Sequence, residues 1–239
     1  MSFDYEDIPP GYYDEVFRRD RGAQSKWHHL KFRRVAEEIA GHRRLLDVGC
    51  GPGTFIGQMA SAHDSVGIDL SRNQIAYAER RYGAPDRRFI RCTAEQLPEE
   101  AGRFDAITAI ELIEHLSPEE VKASLEAAVA RLAPGGKLVL TTPNFGGVWP
   151  LVEALVNRFG DVSYEMQHTN KFTRSSLAVL LSMLGLREAR VSTYIGFAPF
   201  AAALGWRFSD RVAQLDAAHI EQRSGLLLLG TGIKPRQAE

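Results

Sequence analysis

A glycine-rich turn between a predicted strand and a predicted helix constrains this chain more than any other feature. The strand at residues 45–48 is a short apolar run, the glycines follow as Gly49-Cys50-Gly51-Pro52-Gly53, and the helix begins at Thr54. Glycine permits left-handed dihedral angles and lets a ligand approach the backbone closely. In an open parallel sheet, nucleotides bind at this kind of turn. The segment therefore predicts a ligand-binding turn, with a tight turn that binds nothing as the alternative.

Strand and helix patterns alternate along the rest of the chain. Strands are predicted at residues 45–48, 66–69, 88–91, 104–110, 137–142, 186–194 and 225–233. Helices are predicted at residues 54–62, after the cap residue Ser71, from Ser117 to residue 132, at residues 148–159 and after the cap residue Thr173. Strands that alternate with helices at this spacing predict an α/β fold with a doubly wound, mostly parallel sheet.

Composition narrows the class of protein. The 239 residues carry 29 Lys and Arg against 30 Asp and Glu, and this balance argues against a dedicated nucleic-acid partner. The two cysteines are too few for a disulfide framework, and the acidic N-terminus lacks the apolar core of a signal peptide, so a cytoplasmic setting is expected. No apolar run approaches the roughly 20 residues of a membrane-spanning helix.

Two acidic residues flank the glycine turn. Asp47 stands two residues before the first glycine, and Asp69 ends the second strand, 20 positions after Gly49. An acid at the end of the second strand accepts hydrogen bonds from ribose hydroxyls. A dinucleotide fingerprint requires glycine where Thr54 stands, which disfavours an oxidoreductase. A carboxylate at Asp47 suits a ligand that carries an ammonium group.

Five sequence motifs follow one another in register. LLDVGCGPG with VGIDLS, then CTAEQLP, FDAITAIELIEHL and LAPGGKLVLTTPN resemble the motifs of class I S-adenosylmethionine-dependent methyltransferases. The resemblance implies a Rossmann-like, seven-stranded sheet with an antiparallel last strand and helices on both faces. It also implies a single domain, divided into an N-terminal helical arm (1–43), a cofactor-binding core (44–144), substrate-side helices with an insert (145–222) and the last strand (223–234).

The resemblance implies which residues bind S-adenosyl-L-methionine. Asp47 would hold the amino end of the methionine, and Asp69 would bind the ribose hydroxyls. The remaining cofactor contacts would come from Gly49, Cys50, Gly51, Gly53, Leu70, Ala94, Glu95 and Ile110. Thr93 stands where many relatives carry an acid. Tyr12 and Tyr13 of the arm either close over the cofactor or pack at the surface.

Acidic and imidazole side chains follow the fourth strand immediately. If Glu111, Glu114 and His115 form a helical turn, their spacing puts them on one face, and His168 in a polar loop would join them. Such ligands suit a divalent metal such as Mg²⁺ or Zn²⁺. The arrangement is similar to that of ubiquinone-biosynthesis O-methyltransferases and of small-RNA 3′-terminal 2′-O-methyltransferases, both associated with a divalent metal. The alternative is a metal-free cluster in which the histidine orients substrate or packs.

The expected reaction is methyl transfer to a hydroxyl oxygen of a small, apolar or lipid-like acceptor. His115 or His168 would remove the hydroxyl proton, because the pKa of histidine lies near neutrality. The alternative is a non-catalytic S-adenosylmethionine-binding protein with a regulatory or assembly role.

Regions outside the five motifs are expected to shape the acceptor pocket. The apolar insert at residues 196–220 and the basic stretch at residues 18–44 together predict a lipid-like acceptor and peripheral membrane contact. Core packing of the insert and a solvated basic helix are the alternatives. Aromatic residues expected to line the pocket are Phe145, Trp149 and Trp206.

Overall fold

Seven strands form one sheet in the computed structural model, which describes residues 8–159, 168–220 and 224–236. The strands are β1 (Arg44–Val48), β2 (Asp64–Asp69), β3 (Arg87–Arg91), β4 (Phe104–Ile110), β5 (Leu132–Pro143), β6 (Arg187–Tyr194) and β7 (Leu227–Ile233). Their order is β3-β2-β1-β4-β5-β7-β6. The first five strands pair in parallel, whereas β7 runs antiparallel to both of its neighbours. The predicted fold class is therefore confirmed.

Nine described α-helices accompany the sheet. They are α1 (Tyr12–Arg18), α2 (Gly22–Glu38), α3 (Thr54–Gln58), α4 (Arg72–Tyr82), α5 (Pro118–Arg131), α6 (Trp149–Phe159), α7 (Arg174–Met183), α8 (Ala198–Ala201) and α9 (Trp206–His219). Short 3₁₀ turns lie at Glu99–Ala101 and Ala202–Leu204. In the described part of the chain, no helix is both long enough and apolar enough to cross a membrane.

Side-chain caps start the helices where the sequence predicts them. The Ser117 hydroxyl accepts a hydrogen bond from the backbone N–H of Glu120 at 3.3 Å, and the Glu120 carboxylate accepts one from the Ser117 N–H at 2.8 Å. Ser71 caps α4 in the same manner through the Gln74 N–H. These contacts satisfy backbone donors that have no partner inside a helix.

Apolar residues cover both faces of the sheet. Successive residues of a strand point to opposite faces, so Leu45 packs on the side of α2 and α3 whereas Leu46 packs on the side of α5. Strands buried on both faces have nearly continuous apolar sequences, which is the pattern observed in β1 and β4.

Strand β5 is longer than its sequence suggests. The Pro134-Gly135-Gly136 segment was expected to lie before the strand, but β5 begins at Leu132 and its register against β4 shifts between Phe104 and Ala106. Gly135 has a φ of 81°, and its N–H donates to the Lys234 carbonyl at 2.9 Å. The glycines therefore form an irregular part of the strand rather than a separate turn.

Candidate active site

A cleft of about 860 Å³ opens at the carboxyl ends of β1, β2 and β4. Its wall includes the glycine turn, the ends of these strands, the N-terminal arm and the helices that follow β5. The order of the strands reverses between β1 and β4, and ligands of doubly wound sheets bind at such a reversal. The cleft is therefore the candidate site.

The glycine turn adopts backbone conformations that favour glycine. Gly49 and Gly51 have φ values of 72° and 51°, and the N–H of Gly49 donates to the Ile68 carbonyl at 2.8 Å. A Cβ on Gly49 would lie 2.8 Å from the Leu112 side chain, whereas a Cβ on Gly51 would have no atom within 4 Å. Gly51 thus exposes its backbone to the open cleft.

Gly53 differs from the other two glycines. It has a φ of 74°, precedes α3 and does not belong to the wall of the cleft. A Cβ at this position would lie 2.6 Å from the Phe89 ring. Helix packing therefore requires this glycine, although the sequence grouped it with the cofactor contacts.

Asp69 lies half-buried at the edge of the cleft. Its two carboxylate oxygens accept hydrogen bonds from the backbone N–H groups of Gly51 at 2.9 Å and Ser71 at 2.8 Å. These contacts fix the orientation of the carboxylate. Leu70 follows it and is 59 % exposed. The other predicted cofactor contacts on the same wall are Cys50, Ala94, Glu95 and Ile110.

Asp47 is a buried carboxyl group at the base of the cleft. It is 2 % exposed, and it accepts a hydrogen bond from the Thr108 hydroxyl at 2.6 Å. Burial raises the pKa of Asp47 from its usual value of 3.8 to about 7, the hydrogen bond from Thr108 opposes this rise, and the charge of Asp69 adds to it. A cationic ligand group would favour the ionised form strongly, because a buried charge gains most from a partner.

Lys31 is a buried cation that sequence reasoning missed. Its side chain, 5 % exposed, extends from α2 to the cleft and forms an ion pair with Glu111. The basic stretch at residues 18–44 predicts a solvated helix or a surface-binding one, not a cation buried in the cleft. Trp27, Lys31 and Val35 recur every fourth residue, so Lys31 belongs to the apolar face of α2, and this spacing was the available signal.

The backbone at Glu111 bends away from the sheet. This residue has a φ of 51°, and its N–H contacts both the carbonyl and the hydroxyl oxygen of Thr141 at 3.1 Å. A turn follows, in which the His115 N–H donates to the Leu112 carbonyl at 3.0 Å. The expectation that Glu111 shares one helical face with Glu114 and His115 is wrong, because the bend directs Glu111 to Lys31.

Glu114, His115 and His168 meet in the cleft. One potential ligand atom from each lies within 4.8 Å of the other two, and the imidazole ring centroids are 5.3 Å apart. The loop of His168 is tied to the turn, because the Asn170 N–H donates to the Glu114 carbonyl at 2.9 Å. The structure therefore brings together three of the four predicted metal ligands and leaves Glu111 outside the group.

Glu114 is the most deeply buried member of this cluster. It is 1 % exposed, and neither carboxylate oxygen has a hydrogen-bond partner among the described residues. Burial raises the pKa of Glu114 well above its usual value, and the charge of Glu111 adds to this effect. Glu114 is therefore a buried carboxyl group that a cation or a hydrogen-bond donor could engage.

His168 is oriented by a second carboxylate. Its Nδ1–H donates to Glu153 of α6 at 2.5 Å. Sequence reasoning missed Glu153, although it lies one helical turn after Trp149. Trp149 lines the cleft as predicted, and Phe145 packs edge-on against His168. Trp206 instead lies outside the cleft, beneath the ammonium group of a lysine in α2.

The N-terminal arm covers one side of the cleft. Tyr12 and Tyr13 both belong to its wall. Asp14, on the same short helix, is fully buried and accepts hydrogen bonds from the hydroxyls of Tyr77, at 2.8 Å, and Tyr82. These contacts hold α1 against α4.

Comparisons with known proteins agree with this geometry. Residues 45–136 match the family model described as a methyltransferase domain. Over 120 residues the chain is 37 % identical to a ubiquinone biosynthesis O-methyltransferase from Methylococcus capsulatus, and the match covers 48 % of this chain and 49 % of that protein. The chain spans about half the length of the curated relatives it matches.

Solved structures show the same fold at low identity. A SAM-dependent methyltransferase from Archaeoglobus fulgidus superposes with a TM-score of 0.62 at 17 % identity, covering 93 % of this chain and 100 % of that chain. The N-methyltransferase NodS from Bradyrhizobium japonicum WM9, in complex with S-adenosyl-L-homocysteine, gives a TM-score of 0.58 at 18 % identity and covers 94 % and 98 %. These structures confirm the fold, and the family model with the curated relatives confirms the predicted resemblance to methyltransferases.

Proposed function

We propose that this chain, whose residues 45–136 form a methyltransferase domain, transfers a methyl group from S-adenosyl-L-methionine to a hydroxyl oxygen of a small acceptor. The observation that carries the proposal is that one cleft contains both halves of the required chemistry. Asp47 and Asp69 provide the carboxylates that a nucleoside with an ammonium group needs. Glu114, His115 and His168 lie in the same cleft and suit the handling of a hydroxyl proton.

The charges of the cleft match those of the cofactor. Its methionine end carries an ammonium and a carboxylate, for which Asp47 and Lys31 are the matching groups. Asp69 would accept hydrogen bonds from the ribose hydroxyls, and the exposed Leu70 would pack against the adenine. The backbone at Gly51 would allow close approach of the methionine end. Charge-assisted hydrogen bonds of this kind are the strong ones.

The transfer is an in-line displacement, so the alignment of donor and acceptor supplies much of the rate. The acceptor oxygen forms a bond to the methyl carbon as the carbon–sulfur bond breaks, and the sulfonium becomes the thioether of S-adenosylhomocysteine. The hydroxyl proton passes to His168 Nε2. The hydrogen bond from Nδ1 to Glu153 favours the tautomer with the lone pair on Nε2 and stabilises the imidazolium that forms.

Glu114, His115 and His168 also fit a divalent metal such as Mg²⁺ or Zn²⁺. The fit rests on two buried carboxylate oxygens of Glu114 without a hydrogen-bond partner among the described residues, and on two imidazoles beside them. Glu153 would orient His168 in the manner typical of metal-bound histidines. A bound ion would occupy His168 Nε2, so it would take the place of proton transfer to this nitrogen and would instead lower the pKa of the acceptor hydroxyl.

An apolar, lipid-like acceptor is part of the proposal. Beyond the histidines, the cleft is lined by apolar side chains of the arm, of α6 and of α8, which are Trp27, Trp149, Val152, Pro199 and Phe200. The Trp27 and Trp149 rings contact each other with centroids 5.5 Å apart. Such a wall favours a planar or prenylated acceptor over a sugar, because burying apolar surface supplies the binding energy.

The first test is calorimetric titration with S-adenosylhomocysteine and with NAD. Binding of the former alone is expected, and binding of NAD alone would contradict the proposal. The second test incubates methyl-labelled S-adenosylmethionine with the protein and an extract of the source cells, with and without a chelator. Label in the organic phase supports the apolar acceptor, whereas label only in small aqueous molecules or RNA contradicts it. Cofactor binding without transfer would favour a regulatory or assembly protein.

A further inference from the structure

Apolar side chains of the insert face solvent beside the mouth of the cleft. They are Phe197, Phe200, Leu204, Phe208 and Leu215, which are between 44 % and 78 % exposed. We call these five residues, together with the exposed Arg207 and Arg211, the insert face. Phe200 also lines the cleft, so the insert face is continuous with the candidate acceptor site. Single exposed apolar residues are ordinary, but a cluster beside a ligand cleft indicates an interaction surface.

The acids of α9 make contacts within the protein, whereas its two arginines are exposed. Asp210 pairs with the buried Lys26 at 2.5 Å. Asp216 is buried and accepts a hydrogen bond from the Ala198 N–H at 2.7 Å. Asp210 therefore ties the insert to α2, whereas Asp216 joins α9 to α8 within the insert. Between Phe197 and Leu215, Asp210 is the one acid, and it has this partner. The charges that the insert face presents to solvent are those of two arginines.

A second group of cations lies beside the insert face. The His29 ring stacks on Phe17 with centroids 3.9 Å apart and meets Trp206 edge-on at 5.1 Å. These contacts bring the connection between α1 and α2 next to the beginning of α9. Arg18 at the end of α1 and Arg19 and Arg21 of the connection are exposed there, and Arg19 also belongs to the wall of the cleft. The same segment exposes two acids, Glu15 and Asp20, and Asp20 pairs with His29. Five exposed arginines and five exposed apolar residues thus lie in the insert and the adjacent end of α1, and two of them, Arg19 and Phe200, line the cleft itself.

We infer that the insert face docks on a bilayer containing anionic lipid, and that this contact brings the mouth of the cleft to the membrane. Arginines attract the anionic headgroups, and the aromatic and leucine side chains enter the interface between headgroups and acyl chains. The contact rests on the proposed function, since a lipid-like acceptor would then pass from the bilayer into the cleft beside Phe200. A second copy of the chain fits less well, because two such faces would oppose like charges.

The test is co-sedimentation of the full chain with vesicles of phosphatidylcholine alone or mixed with phosphatidylglycerol. Binding to the mixed vesicles is expected, and it should weaken as salt screens the charges. L204S/F208S and R207E/R211E should each lower the affinity by about tenfold or more. V179S/M183S is the matched control, because these two side chains of α7 are 58 % and 67 % exposed and carry no neighbouring role in the proposal. It should bind as the unmodified protein does.

Three results would overturn the inference. The first is that the unmodified protein does not bind the mixed vesicles. The second is that both insert-face variants bind them as the unmodified protein does, and the third is that the α7 control loses as much vesicle affinity as the insert-face variants. Self-association that disappears in the insert-face variants, without vesicle binding, would assign the face to a second copy and also refute it. Titration with S-adenosylhomocysteine separates this question from the proposed function, because all variants should keep the affinity of the unmodified protein.

Discussion

The raised pKa of Asp47 predicts that cofactor affinity depends on pH in a specific direction. The difference between its usual value of 3.8 and about 7 in the cofactor-free protein corresponds to roughly 4 kcal/mol, which burial supplies. An ammonium group needs the ionised carboxylate. Since about half of Asp47 is ionised at pH 7 and about a tenth at pH 6, affinity for S-adenosylhomocysteine should fall about fivefold between these two pH values. Binding near neutral pH should also release a proton.

The assay is calorimetric titration across this range in buffers with different ionisation enthalpies, which reports affinity and proton release together. Asp47→Asn should bind weakly and lose the pH dependence, whereas Glu114→Gln, which removes a different buried carboxyl group of the cleft, should keep it. Because the pKa is raised in the folded state, the contribution of Asp47 to stability is present below its unfolded pKa and is lost as pH rises through about 7. Equal affinity at both pH values in the unmodified protein would refute the reasoning.

Four further substitutions test individual contacts. Asp69→Ala should weaken binding of S-adenosylhomocysteine by roughly 1–3 kcal/mol through loss of charged hydrogen bonds, and unchanged calorimetric affinity would overturn the ribose assignment. Lys31→Met should weaken it by about tenfold if this lysine binds the cofactor carboxylate, and an unaltered Kd would leave the residue a purely structural role. His168→Ala should lower turnover by about 10²-fold or more with cofactor affinity kept, and full activity would remove it from the reaction. Gly53→Ala should lower the free energy of unfolding by about 1–3 kcal/mol, because the added Cβ would lie 2.6 Å from the Phe89 ring. Gly51→Ala is the control, because its Cβ would have no atom within 4 Å. Equal Tm values for the two variants would contradict the packing argument.

The sequence was sufficient for the sheet because its signals are local. Apolar runs, glycine turns and cap residues such as Ser117 determine elements within a few residues, and their alternation predicts parallel pairing. The antiparallel last strand was implied by the resemblance to methyltransferases. Asp47 and Asp69 could be found for the same reason, since each follows from its position relative to a strand end. The irregular start of β5 could not, because it depends on pairing with β4 and with the end of the chain.

The rest of the site depends on contacts between distant segments. Lys31 reaches Glu111 across 80 positions, and Glu153 meets His168 through the packing of α6 against the loop. The left-handed backbone conformation of Glu111 could not be predicted either. It accompanies hydrogen bonds from the Glu111 N–H to Thr141, a residue 30 positions away, and a glutamate after a strand does not indicate such a bend. Sequence spacing alone therefore assigned Glu111 to the wrong partners.

The pairing of Lys31 with Glu111 has a consequence for the exchange of substrate and product. Among the described residues of the cleft wall, carboxyl groups such as Asp47, Glu111 and Asp69 outnumber the cations Lys31 and Arg19, so the cleft is electronegative once Asp47 is ionised. S-adenosylmethionine brings a sulfonium in addition to its ammonium and carboxylate, and the proposed transfer converts that sulfonium to an uncharged thioether. The reaction thus removes the positive charge that the cleft attracts. The electrostatic part of the attraction is therefore expected to be weaker for the spent donor than for the fresh one, and a comparison of their calorimetric affinities would check this.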